Sequence, residues 1–123
     1  MEPRGGRFRR ADRLRKPGEF RRVSAEGQRH SGSSFVVLQA ISKGASVGVG
    51  SRLGVTVSRK VGGAVQRNQV KRRLREWFRR SRNALPPGND WVVIARPRAR
   101  ALGYAALVTE LDRLSGIAGG SGV

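Results

Sequence analysis

The sequence predicts a small α+β domain, and three observations carry that prediction. Short β-branched runs bounded by turn residues, one of them alternating, read as strands, other segments repeat apolar residues at a helical period, and the two kinds are mixed along one chain of 123 residues. That length suits one domain with a modest core. Hydrophobic residues are 37% of the chain and aromatics 6%, enough for a small sheet covered by helices.

Residues 1–13 are rich in Arg and Gly, lack periodicity, and read as a flexible basic arm. The folded domain spans 14–117. In "PGEFRRVSAEG" (17–27) Pro17 suits a first helical turn, Phe20 and Val23 lie three apart on one face, and Gly27 can end the helix. "SSFVVLQAI" (33–41) is β-branched and bounded by Ser and Gly, which predicts a strand. "SKGASVGVGS" (42–51) follows as a flexible connection. In "RLGVTVS" (52–58) Leu53, Val55 and Val57 alternate with Gly54, Thr56 and Ser58, giving one buried face and one small, polar face. The two strands can pair as an antiparallel hairpin with a long loop. His30 falls in a Ser/Gly-rich loop before them.

Gly62 and Gly63 break the chain before its longest helix, in which Val70, Leu74, Trp77 and Phe78 share one face. Pro86 and Pro87 end it. "DWVVIARP" (90–97) is a third strand, and "LGYAALVTELDRLSGI" (102–117) a last helix with Tyr104, Leu107, Val108, Leu111 and Leu114 on one face. Residues 118–123 read as a disordered tail.

Charge narrows the function. Lys and Arg number 26 against 8 Asp and Glu, a net of +18. Such self-repulsion points to a polyanionic partner, nucleic acid before an anionic membrane. No apolar run approaches a membrane span, and the basic start lacks the apolar stretch of a secretory signal. A cytoplasmic protein is expected. The chain has no Cys and one His, which excludes disulfides and thiolate zinc sites. The carboxylates are scattered, so no catalytic constellation is predicted within the protein. Phosphoryl chemistry here would need metal ions held by RNA phosphates.

The basic residues are ordered. Counted at 100° per residue, Asn68, Lys71, Arg72, Arg75, Arg79 and Arg82 form a polar stripe opposite the apolar face, while Arg67 falls near the edge of the apolar face at the helix start. A solvated helix usually mixes its charge signs, whereas here only Glu76 is available to pair, with Arg80 four residues on. Arginine forks match phosphate bidentately, and an amide at Asn68 can read a base edge or a 2′-hydroxyl. Arg59 and Lys60 leave a strand just before the helix start, where free N–H groups favour a phosphate. Phe20, Arg21 and Arg22, beside Phe35 and Val37, admit two readings. Either the aromatics are core, or they rim a groove that stacks a single strand. Composition alone equally fits a non-catalytic ribosomal or RNA-chaperone protein. A DNA-binding helix-turn-helix lacks its first helix.

At "LGVTVSRKVGGAVQRNQVKRRLREWFR" the sequence resembles the bacterial ribonuclease P protein component. That family has a strand ending in Ser-Lys/Arg-Lys, a Gly turn, Ala-Val, then Arg-Asn and Lys-Arg at fixed offsets on a helix. Here these are Ser58, Arg59, Lys60, Gly62, Ala64, Val65, Arg67, Asn68, Lys71 and Arg72. With the flanking elements the resemblance covers about residues 14–116. It implies an α/β sandwich of αβββαβα type, with a mixed sheet and a left-handed crossover through the basic helix. A right-handed crossover is the rule elsewhere.

The resemblance also implies a subunit of a ribonucleoprotein endoribonuclease that removes the 5′ leader of precursor tRNA. Arg59, Lys60, Arg67, Asn68, Lys71, Arg72, Arg75 and Arg79 then bind the catalytic RNA. Phe20, Arg21, Arg22, Phe35 and Val37 meet the leader in a cleft between the first helix and the sheet. Cleavage belongs to the RNA, with Mg2+ on its phosphates, no organic cofactor and no obligate protein partner. The sequence departs from the family at Gln69, where Arg is common, and at Ser24 and Leu38, where aromatics are common. Gly103 stands where a hydroxyl usually caps the last helix.

Overall fold

Two apolar runs that sequence alone cannot place become the middle of one sheet. Strand β2 (Phe35–Ile41) and strand β4 (Asn89–Ala95) are buried along nearly their whole lengths, as strands covered on both faces must be. They pair antiparallel, with Val37 opposite Val93. Strand β3 (Arg52–Thr56) adds parallel to β4, and strand β1 (Gln28–Ser31) adds antiparallel to β2, giving the order β1-β2-β4-β3. Helices α1 (Pro17–Glu26), α2 (Ala64–Ser81) and α3 (Tyr104–Ser115) complete the αβββαβα order, with a 3-10 segment at Pro97–Ala101. This computed structural model describes residues 13–42 and 51–117. Most of the predicted arm, the 42–51 connection and the 118–123 tail lie outside the described residues.

The sheet has a core on each face. Strand alternation sends Phe35, Val37, Leu53, Trp91 and Val93 towards α2 and α3, and Val36, Leu38, Ala40 and Val92 towards α1. The mixed sheet and the three helices agree with the predicted fold class.

Three expectations are corrected. The strands at 33–41 and 52–58 do not form a hairpin, because β4 lies between them. Parallel pairing of β3 with β4 requires a crossover, and α2 supplies it. His30 lies in edge strand β1 rather than in a loop. Its sequence, QRHS, carries no β signal, and the backbone of β2 supplies the pairing. Gly54 is buried, where a small solvated face was expected, because Phe20 of α1 packs over it. A Cβ at Gly54 would stand 2.6 Å from Phe20 Cζ, closer than packed carbons come.

Helix α1 is clamped to the sheet by ions. Asp90 of β4 is fully buried and accepts from Arg52 Nε and Nη2 at 3.1 Å each, from the Ser42 hydroxyl at 3.0 Å, and from Arg22. Arg52 also bonds Glu19 of α1 at 2.9 Å. Burial alone would lower the pKa of Arg52, but Asp90 and Glu19 outweigh it and raise it. Burial likewise pushes Glu19 up, and the Lys16 and Arg15 N–H groups together with Arg52 more than reverse that.

Candidate nucleic-acid interface

Helix α2 is built from long, unbranched side chains that favour helix, with no Gly or Pro inside. Its N-cap, Gly63, has no side chain to cap with, and Gln66 Oε1 accepts the Gly63 N–H at 2.9 Å instead. Val70, Leu74, Trp77 and Phe78 are buried, as the period predicts. Each contributes about 1.5–3 kcal/mol relative to exposure. Like-charge neighbours one turn apart oppose the helix by only about 0.2–0.5 kcal/mol per pair. The anchor wins.

Trp77 does more than fill space. Its indole N–H donates to Asp112 Oδ1 of α3 at 2.8 Å, both residues being buried. A single directional bond between two packed helices fixes the rotation of α2 about its axis. The direction of the basic stripe is therefore set from inside the core.

On the outer face Asn68, Lys71, Arg72, Arg75 and Arg79 line one open cleft of about 440 Å³, together with Arg13 and Glu76. Five of the predicted RNA-binding residues thus converge. Arg59 and Lys60 lie in the exposed turn before α2, and Arg67 is half-buried in its first turn; these three do not line the cleft. Arg82 leaves the stripe. Its guanidinium lies 5.5 Å from the Phe78 ring centre and donates to the Ser51 carbonyl at 3.2 Å.

Arg13 was hidden in the sequence by its place in an apparently unstructured arm. The junction of arm and domain bridges to β3, through Arg13 opposite Leu53 and Leu14 N–H donating to Leu53 O at 2.9 Å, with Leu14 buried. A lone leucine in a basic segment was the available signal. Burial lowers the pKa of Arg75, and the charge of Arg13 adds to that. Two guanidinium groups held this way gain from a shared anion.

Glu76 is the one carboxylate at the wall. The Arg79 bonds, at 3.1 and 2.7 Å, come first in holding its pKa to about 2, followed by Arg80 at 2.6 Å. The predicted pair with Arg80 is present, and Arg79 joins it. At neutral pH this carboxylate stays charged and holds two guanidinium groups along the helix surface.

The other predicted surface is divided. Phe20 is half-buried over Gly54, and Arg21 is exposed. Arg22 is committed to Asp90, to the Ile41 carbonyl at 3.1 Å and to Glu26 at 3.5 Å. Phe35 and Val37 are fully buried on the sheet face opposite α1, so they do not line a cleft beside α1. Alternation showed that odd and even residues part company; it did not show which set α1 covers.

Comparisons with known proteins bear on the family and the fold. A family profile described as ribonuclease P matches residues 8–119. The chain is 43% identical over 105 residues to the ribonuclease P protein component of Gluconacetobacter diazotrophicus, covering 85% of this chain and 88% of that one. It is 37% identical over 102 residues to that of Brevibacillus brevis, covering 83% and 79%. Among solved structures, a Staphylococcus aureus RNase P protein mutant with defective mRNA degradation activity superposes with a TM-score of 0.77 at 32% identity, covering 89% of each chain. The Thermotoga maritima RNase P protein gives 0.72 at 35% identity, covering 85% of this chain and 96% of that one. Sequence and fold agree, and the chain belongs to the family of ribonuclease P protein components, the protein part of an RNA-processing enzyme.

Proposed function

We propose that the chain docks on the catalytic RNA of ribonuclease P through α2, while the α1 side of the sheet receives the 5′ leader of precursor tRNA. The observation that carries this reading is the convergence of Arg13, Asn68, Lys71, Arg72, Arg75 and Arg79 in one cleft. Arginine forks and a lysine on a rigid helix neutralise a row of phosphates without being reordered. Arg59, Lys60 and Arg67 extend the same surface past the helix start. On the other side Phe20 supplies a ring and Arg21 an exposed cation. Ile94 is half-buried and Thr56 exposed on the same sheet face, and they take the places first assigned to Phe35 and Val37.

Bond cleavage in this reading belongs to the RNA, with Mg2+ on its phosphates. Among the described residues no three His, Asp or Glu side chains gather to hold a metal, and RNA phosphates are the hard oxygen ligands Mg2+ prefers. The protein's part is to lower repulsion between RNA segments and to position the leader. No helix among the described residues is long and apolar enough to cross a membrane, and we place the complex in the cytoplasm.

The test is processing of precursor tRNA by the catalytic RNA at low Mg2+, with and without the protein. We expect cleavage to become efficient only with both. An RNA-binding protein of another kind would bind without changing cleavage. Phe20→Ala should weaken precursor relative to mature tRNA by about 1 kcal/mol, the low end for stacking on one aromatic, since Ser24 and Leu38 offer no second ring. Equal losses for both RNAs, with a lowered melting temperature, would make Phe20 a packing residue only.

A further inference from the structure

The flank of α2 nearest α3 carries a second concavity. Arg72, Arg73, Glu76 and Arg80 meet Tyr104, the first residue of α3, around an open pocket of about 390 Å³, within the size range of ligand sites. Three of these residues are arginines, yet the wall is mostly apolar. A mostly apolar wall built from three arginines and a tyrosine is what the phenol ring and arginine stems provide when the guanidinium heads lie towards the rim.

The parts are held in place. Tyr104 packs half-buried against the main core. Arg73 Nη1 donates to the Leu102 carbonyl at 3.0 Å, and Arg80 Nε is tied to Glu76. Burial, first, raises the pKa of Tyr104, so the phenol is neutral at physiological pH. A flat apolar wall with a cationic rim suits a planar ring that carries an anion beside it. A nucleotide has that chemistry, and only an unpaired one has a free ring to insert.

We propose that this pocket takes one unpaired nucleobase of the RNA docked on α2, stacked on Tyr104, with the Arg72 and Arg80 heads on the adjoining phosphates. This rests on the reading that α2 binds the RNA subunit. Arg72 and Glu76 belong to both the pocket and the stripe's cleft, so the two form one continuous surface. That surface lies on the sheet face away from α1. The base therefore comes from the RNA subunit and not from the leader.

Tyr104 is the only tyrosine in the chain, so the full protein made with 3-fluorotyrosine gives a single fluorine resonance. A single-stranded oligoribonucleotide should shift that resonance, and inorganic polyphosphate, charged but without bases, should not. An oligoribonucleotide that binds by fluorescence anisotropy yet leaves the resonance in place overturns the pocket and leaves the α2 reading standing. If neither polyanion binds, both readings fall. As a second measurement, Tyr104→Leu keeps an apolar contact with the core but has no ring face, while Tyr104→Phe keeps the ring. The Leu variant should bind the catalytic RNA about tenfold more weakly, with the Phe variant like wild type and the precursor-to-mature tRNA ratio unchanged in both. A folded Leu variant that binds the catalytic RNA as tightly as wild type overturns the proposal.

Discussion

Asp90→Ala should lower the unfolding free energy by about 3–5 kcal/mol, the usual loss when one partner of a buried ionic cluster is removed. The reason is what stays behind. Arg52 and Arg22 keep side-chain exposures of only 14% and 21%, so neither guanidinium can recover full hydration. Urea unfolding followed by tryptophan fluorescence measures the loss. The companion variant carries Asp90→Leu with Arg52→Met and Arg22→Met, removing the charges together. It should recover much of the lost stability, because apolar replacement of a whole buried cluster is often neutral or better. A single Asp90→Ala variant as stable as wild type would mean that the cluster is solvated in solution and does not clamp α1.

RNA affinity should fall steeply with salt. If the α2 cleft and the preceding turn neutralise about six to eight phosphates, log affinity changes with log salt at a slope of roughly −4 to −7. Between 50 and 200 mM salt this amounts to a loss of roughly a hundredfold to ten-thousandfold. Arg75→Ala should weaken binding at low salt and make the slope shallower by about one, as expected for one lost phosphate contact. Filter binding of the catalytic RNA across a salt series provides both numbers. A slope near zero would show that the basic face does not engage the backbone, whatever else the protein binds.

The basic helix and its two faces were easier to read in the sequence than the sheet, for a physical reason. Helix α2 is a local object. Its period alone sorts Val70, Leu74, Trp77 and Phe78 from Lys71, Arg72, Arg75 and Arg79, and tertiary packing only had to respect that sorting. The sheet depends on partners distant in sequence. Nothing local says that β4 inserts between β2 and β3, or that the polar QRHS segment becomes an edge strand. The role of Asp90 depends on Arg52, 38 residues away, and on Arg22, 68 residues away. Phe35 and Val37 show the same limit at single residues. Period two divides a strand into two faces, but burial against a particular helix is a long-range fact. Arg13 was lost for the opposite reason, since a segment with no period of its own is ordered by one bridge to β3.

Strand β4 has a consequence for how RNAs on the two sides would be spaced if both surfaces bind as proposed. Through Asp90 it holds α1, and through Trp91 and Val93 it lies in the core beneath α2, which Trp77 and Asp112 key to α3. The two helices proposed to face RNA are thus mounted on opposite sides of one strand. On the proposed function, an RNA on each side would be kept apart by one sheet and its flanking layers, each spacing close to 10 Å. If both faces bind RNA as proposed, the domain works as a gauge block. It sets a distance between two RNA segments, and that distance changes only if β4 itself gives way.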